Sequence, residues 1–345
     1  MNKQTDVLII GGGFGGVGVA QKLSKNGVSV TLVDRKNYFE VTFAVLRNTA
    51  DPKILGNMPR KLYSDFIDGS FIQGSVEFMN DKEAHLTSGE TIRFKTAIIS
   101  SGSRYPTLPL AKSNSAFDYT ERNQEIVNEH NLLASAKSVL VIGGGTVGVE
   151  FAGEIASAFP DKDVTLAHST DTLLDNLKPK AQRKALEQLT ARGIKVMFNR
   201  RFMKDGDVYR CSKSNETLQP DLAYSCIGMI PNTEFLKAEL PHTLDDKGLI
   251  KVDSFMKVEG YNNLYALGDC ANLDNHKHGY VASVQGAVLA DALLKSSKGK
   301  KIKPYKTPPF AVITPTGTDS GVAQMPFWGN NREIFRELET KRLGY

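Results

Sequence analysis

Two distant stretches of the chain repeat one pattern: four apolar residues in an unbroken run, then glycines, then a segment of helical character. The first reads Asp6-Val-Leu-Ile-Ile-Gly-Gly-Gly-Phe-Gly-Gly16 and the second Ser138-Val-Leu-Val-Ile-Gly-Gly-Gly-Thr-Val-Gly148. A continuous apolar run without alternation is the pattern of a strand buried on both faces, as in a parallel sheet. After the first run the pattern predicts a helix to about Asn26, a break at Gly27 and a strand over 28–34. After the second it predicts a helix running through Glu150 to Phe159, a break at Pro160 and a strand over 164–168. Both are β-α-β units with right-handed crossovers. Three more strands end in glycine, at Gly102, Gly228 and Gly268. A helix over 281–295, strands over 310–314 and 321–324, and a polar helix over 332–343 complete the reading.

The glycine spacing carries chemistry. In Gly11-x-Gly13-x-x-Gly16, Gly11 permits the tight turn, Gly13 lets the backbone approach a pyrophosphate, and Gly16 allows close helix–strand packing. The phosphates then meet unpaired N–H groups at the helix N-terminus. Asp34 follows Gly13 by 21 residues, where an acid binds a ribose hydroxyl. Gly143, Gly145 and Gly148 repeat the spacing, with Thr146 and Val147 between the last two. Here the following strand ends in Ala167-His168-Ser169, with no acid before Asp171. Without an acid, repulsion of a 2′-phosphate is removed, which predicts weak discrimination between NADH and NADPH; His168 reads either as a contact for a 2′-phosphate or as a surface histidine with no such role. Two dinucleotides in one chain are expected to bring two redox rings together. Hydride transfer between them needs no protein acid or base.

The 345 residues, 41% hydrophobic and 23% charged, suffice for two domains and a small third piece. The net charge of +5 is concentrated in Lys295, Lys298, Lys300, Lys301, Lys303 and Lys306. That run reads as a solvated linker or as a patch for anionic headgroups. With one aromatic, Tyr305, it offers no stacking platform, so no nucleic acid is expected. Cys211, Cys226 and Cys270 include no C-x-x-C pair, which argues against a disulfide framework or zinc site and for a reducing, cytoplasmic setting. His276-x-His278 lacks a third ligand, so no metal is expected. No run of 18 apolar residues exists, the first strand leaves no room for a signal peptide, and Met1-Asn2 lacks a myristoylation glycine. Membrane contact is therefore expected to be peripheral, through the C-terminal segment. A homodimer is left open.

These residues resemble the two-dinucleotide-domain flavoproteins of the pyridine nucleotide–disulfide oxidoreductase superfamily. Gly268-Asp269 is similar to its second FAD motif. Within it the chain resembles ferroptosis suppressor and apoptosis-inducing-factor-like oxidoreductases through Val33-Asp-Arg-Lys-Asn-Tyr-Phe39, Ala44-Val-Leu-Arg47, Gly143-Gly-Gly-Thr-Val-Gly-Val-Glu-Phe-Ala-Gly-Glu-Ile155, Phe159-Pro-Asp-Lys-Asp-Val-Thr-Leu-Ala-His-Ser169 and Asp319-Ser-Gly-Val-Ala-Gln324. Type II NADH dehydrogenases are similar too. The resemblance implies an α/β fold of two Rossmann-like dinucleotide-binding domains and a short C-terminal segment. The FAD domain is expected over 1–105 and 255–298, the NAD(P)H domain over 106–254, and a C-terminal piece over the flavin from 299 to 345. It implies hydride transfer from NADH or NADPH to FAD, then reduction of a ubiquinone- or menaquinone-type quinone. FAD is implied against Gly11, Gly12, Gly13, Phe14 and Gly15, with Arg47, Val76 and Asp269. Gly16, Arg35, Ser101, Gly102 and Gly268 belong to the same expected cradle, and Gly228 to the second. The lack of a cysteine pair excludes disulfide reduction.

The resemblance also marks Glu150, expected on the first turn of the second nucleotide helix, as the residue near nicotinamide and quinone. Glu154, one turn further on the same face, is the second catalytic candidate. His276, His278 and Tyr280 are candidates for a proton relay. Met325-Pro-Phe-Trp328 is a candidate lip for a quinone or a membrane anchor. Two other readings are an NAD(P)H-dependent reductase of a ferredoxin- or rubredoxin-type acceptor, docked on the lysine run, and a non-catalytic redox-sensing flavoprotein acting through a partner.

Overall fold

Leu8 and Ile9 are fully buried, as an apolar run enclosed on both sides requires. They belong to a strand, Asn2–Ile10, that lies between two parallel neighbours, Val30–Asp34 and Thr91–Ile99. The computed structural model describes residues 2–274 and 276–325. The first sheet extends through Ser70–Gln73, parallel to Val30–Asp34. Strand Thr91–Ile99 changes partner along its other edge. Its N-terminal part pairs antiparallel with Glu83–Leu86, itself paired with Val76–Met79. Its C-terminal part pairs parallel with Leu264–Ala266, which returns from far downstream. The sheet thus draws on two separated stretches of chain.

Helix Phe14–Ser24 crosses helix Gly279–Ser296 at backbone contact: a Cβ on Gly286 would stand 2.5 Å from the Gly15 carbonyl oxygen. The second sheet is all parallel, in the order Lys195–Met197, Asp163–Ala167, Ser138–Ile142, Leu222–Ser225. Helices Tyr119–Ser135, Thr146–Ala158 and Pro179–Ala191 contribute to its core. Between the sheets the chain passes out and back along a two-stranded ribbon, Ser103–Arg104 against Ile230–Pro231. Arg104 closes it by bonding the Asn232 amide oxygen at 2.9 Å.

A buried ionic cluster ties the first unit to helix Tyr119–Ser135. Glu40 accepts from Arg122 Nε at 2.8 Å and lies 3.4 Å from Arg60 Nη1; all three residues are buried. Arg122 also donates to Glu125 at 2.6 Å and to the Leu110 carbonyl at 2.7 Å. Burial is the largest influence and opposes ionisation of Glu40, but Arg122, Lys36 and Arg60 together outweigh it and hold the carboxyl below its ordinary range.

Several boundaries differ from those the sequence predicts. The second nucleotide helix starts at Thr146, which puts Glu150 in its second turn rather than its first, because Gly145 caps it and the glycine loop feeds straight into it. The strand expected from residue 28 starts at Val30, and the helix expected from residue 281 starts at Gly279. The C-terminal hairpin, Val312–Pro315 with Gly321–Gln324, packs on helices Thr146–Ala158 and Pro179–Ala191. Gly153 admits it, since a Cβ there would stand 2.2 Å from the Thr316 carbonyl carbon. The predicted helix over 332–343 and residues 326–328 of the apolar segment lie outside the described residues. Among the described residues no helix is long and apolar enough to cross a membrane.

Candidate dinucleotide-binding site

The glycines of the first loop divide the work between packing and access. Gly11 has φ +100°, and a Cβ there would lie 2.4 Å from the Ser100 carbonyl oxygen. A Cβ on Gly16 would lie 1.9 Å from the Gly11 carbonyl oxygen. Gly13, which caps helix Phe14–Ser24, faces nothing within 4 Å. Its hydrogen thus faces empty space at a helix N-terminus, the environment a diphosphate requires. Asp34 stands beside the turn, accepting from Gly12 N at 2.6 Å and Lys36 N at 2.8 Å. Tyr63 donates to the Gly12 carbonyl at 2.7 Å and fixes the loop from below.

Above this turn lies a cavity of about 760 Å3. That volume falls within the range of ligand and cofactor sites, roughly 300–1,000 Å3. Gly11, Gly12, Gly13, Phe14, Gly15, Asp34, Arg35, Val76, Ser101, Gly102, Gly268 and Asp269 line it, as do Thr146, Val147 and Glu150 from the second fold. An open diphosphate turn, an acid beside it and a cavity that a second acid also lines are what FAD needs, so the residues present fit the group.

In the lining Asp269 Oδ2 accepts from Ser103 Oγ at 2.6 Å and Lys112 Nζ at 2.9 Å. Burial is the largest influence and disfavours the Asp269 carboxylate, but Lys112, Ser103 and Lys277 together outweigh it and hold the carboxyl below its usual range. Burial pulls the Lys277 ammonium below its usual range; this residue also lines the cavity. His278 lines it too, with its pKa lowered by burial first and then by His276. Lys112, Ser103, Tyr63 and Lys277 escape sequence reading, because each sits in a loop or short element without periodicity. Tyr280 is exposed, and His276 packs on the Phe310 ring at 4.4 Å; neither lines the cavity.

The second loop repeats the first in detail. Gly143 has φ +113°, a Cβ on Gly148 would lie 1.8 Å from the Gly143 carbonyl oxygen, and Gly145 again faces nothing within 4 Å. Where Asp34 receives Gly12 N, His168 Nδ1 receives Gly144 N at 3.0 Å. Of this cradle only Thr146, Val147 and Glu150 reach the cavity; Gly143, Gly145, Gly148, His168 and Gly228 do not. Glu150 stands in the second turn of its helix, one turn beyond the place expected for it, where the field of the helix end has weakened. It is buried and lines the cavity from the second fold. Glu154 turns away and accepts from Arg47 Nε at 3.0 Å and Nη2 at 2.6 Å. Arg47 accordingly lies outside the cavity lining and joins helix Val45–Ala50 to helix Thr146–Ala158.

No cysteine lines the cavity. All three thiols are free, and burial pushes Cys226 up to about 12 and raises Cys270.

Residues 5–290 match the protein family described as pyridine nucleotide-disulphide oxidoreductase. The chain belongs to this family. The oxidoreductase is 31% identical to ferroptosis suppressor protein 1 of Xenopus tropicalis, over 98% of this chain and 96% of that protein. It is 28% identical to apoptosis-inducing factor homolog B of Dictyostelium discoideum, over 92% of this chain and 89% of that one. Among solved structures, NDH2 from Plasmodium falciparum in complex with NADH superimposes with a TM-score of 0.82 at 15% identity, covering 98% of this chain and 94% of that chain, and so shares the fold. The protein is an NAD(P)H-dependent flavin oxidoreductase whose cofactors are FAD and a nicotinamide dinucleotide.

Proposed function

We propose that this oxidoreductase reduces quinones with NAD(P)H. The observation that carries the reading is a single cysteine-free cavity lined from both nucleotide folds. With no thiol to relay electrons, the acceptor has to enter from outside. The cavity lining supplies a planar apolar surface for it: Phe14 and Phe43 stack with ring centroids 5.6 Å apart and planes 14° apart, and Phe43 is 42% exposed. Aromatic rings favour such offset stacking with another flat ring.

In this reading the N–H groups of the first glycine turn hold the FAD diphosphate, Asp34 holds its ribose, and Asp269, steadied by Ser103 and Lys112, marks the ribityl end. Gly143, Gly145 and Gly148 hold the nicotinamide dinucleotide along the second helix. The domains divide at 1–105 with 255–298, 106–254, and 299–345. Bound FAD supplies the chemistry that accepts a hydride and passes two electrons on. The net change balances as NAD(P)H, one proton and a quinone giving NAD(P)+ and a quinol. The extra proton comes from solvent, and Glu150 and His278 are two of the titratable groups lining the cavity, and the ones to which this reading gives the proton. The six lysines over 295–306 are all exposed and suit a peripheral approach to an anionic surface, where the quinone resides.

Steady-state NADH oxidation with a soluble ubiquinone or menaquinone analogue tests the reading. Turnover well above the oxygen-only background is expected. A rate equal to that background overturns it.

A further inference from the structure

Asp274 is a buried carboxylate, and the hydrogen-bond donors that reach it among the described residues are neutral. Its Oδ2 accepts from Gln285 Nε2 at 2.7 Å and from the Tyr305 hydroxyl at 2.8 Å, and its Oδ1 accepts from the Thr307 hydroxyl. A carboxylate only accepts, so it holds the Gln285 amide with its NH2 group turned inward and Oε1 turned the other way. That Oε1 receives Gly268 N at 2.7 Å. Gly268, at φ +77°, is the turn that delivers Asp269 from strand Leu264–Ala266.

The helix that carries Gln285 also touches the other end of the flavin seat, because the next residue, Gly286, is the one that packs on Gly15 of the diphosphate helix. Tyr305, the one aromatic of the lysine run, is buried among Leu267, Leu289 and Ala290, and its N–H bonds the Ser254 carbonyl at 2.7 Å. Lys303 and Lys306 on either side of it are exposed. The run is therefore anchored on the same carboxylate that orients Gln285.

We propose that Asp274 is a positioning residue for the flavin: through Gln285 it holds the Gly268 turn, and with it Asp269, in place for the ribityl chain, while Tyr305 and Thr307 tie the lysine-bearing segment to that arrangement. The inference rests on the placement of the ribityl end at Asp269 proposed above. Asp274, Gln285 and Tyr305 do not line the cavity, so they act on bound FAD through Gly268 and Asp269, which do. Without the carboxylate the Gln285 amide is free to turn over, and its NH2 group then opposes the Gly268 N–H, donor against donor.

Release of FAD from diluted holoenzyme, followed as a gain in flavin fluorescence, tests the relay together with the visible circular dichroism of the bound flavin. Asp274→Ala and the near-isosteric Gln285→Met are expected to release FAD at least about tenfold faster than wild type and to alter the flavin band, or to purify without flavin while keeping the wild-type far-ultraviolet spectrum. Asp274→Asn is expected to stay within about threefold of wild type, because its side-chain oxygen still receives Gln285 and Tyr305 while its amide donates to the Thr307 hydroxyl. Asp274 also acts on Lys277 through its charge. If charge alone mattered, Asp274→Asn would release FAD as fast as Asp274→Ala, and that result overturns the inference. Wild-type release rates in both Asp274→Ala and Gln285→Met overturn it too. Asp269→Ala separates the two levels: wild-type release in this variant removes the ribityl placement itself, and the inference with it.

Discussion

Gly13→Ala should separate cofactor binding from folding. At Gly13 the backbone has φ −75° and ψ −168°, an extended conformation that alanine adopts freely. An added Cβ meets nothing within 4 Å, so the apoprotein loses no packing. Limiting the unfolded chain is worth about 0.4–1 kcal/mol, so the apoprotein should melt at or slightly above the wild-type temperature. The same methyl group occupies the space where a diphosphate must come within hydrogen-bond distance of the turn. Displacing it weakens about two bonds to a charged group, each worth roughly 1.5–3 kcal/mol. The sum, about 3–6 kcal/mol, corresponds to a loss of roughly 10²–10⁴ in FAD affinity. Fluorescence titration of apoprotein with FAD, alongside its thermal melt, measures both quantities. Gly16→Ala is the contrasting variant: its Cβ would lie 1.9 Å from the Gly11 carbonyl oxygen, and it should fail to fold. An FAD affinity in Gly13→Ala within threefold of wild type would refute the assignment of this turn to the diphosphate.

Gly145→Ala should leave FAD bound and the fold intact, because its Cβ also meets empty space, while NADH affinity falls by at least about 100-fold in anaerobic titration of the flavin spectrum. Glu40→Gln should cost about 3–5 kcal/mol by leaving the buried Arg122 and Arg60 without their shared carboxylate. Because the folded Glu40 pKa is depressed, its contribution is present above the unfolded value near 4.3 and lost as pH falls through the lower folded value. The gap between wild-type and variant denaturation midpoints should therefore be widest near neutral pH and shrink below about pH 4. Gly153→Ala should destabilise by at least about 1–3 kcal/mol by prising the C-terminal hairpin from helix Thr146–Ala158, read by faster proteolysis after residue 300. Iodoacetamide at pH 8 should leave Cys226 and Cys270 unmodified in native protein and NADH-dependent flavin reduction unchanged, since burial disfavours both thiolates; labelling of either on a mass map would contradict this.

The two strand–glycine–helix units and their ligand class are legible from residue order alone. Those signals are steric and local: Gly11 and Gly143 need positive φ, and Gly16 and Gly148 leave no room for a Cβ. An apolar run enclosed on both sides likewise announces its place in a sheet. Helix starts were less legible, because a glycine cap carries no side-chain signal, and Glu150 looked one turn nearer its helix end than it is. The tertiary structure alone decided how the ionic groups pair. Arg47 meets Glu154 across 107 residues of chain, and Lys112 meets Asp269 across 157. It also brought Asp175 Oδ2 to 3.5 Å from His168 Nε2. Backbone sterics act between residues that are neighbours in sequence, so they can be read from order alone. Charge pairing acts through space, and only the folded chain sets those distances.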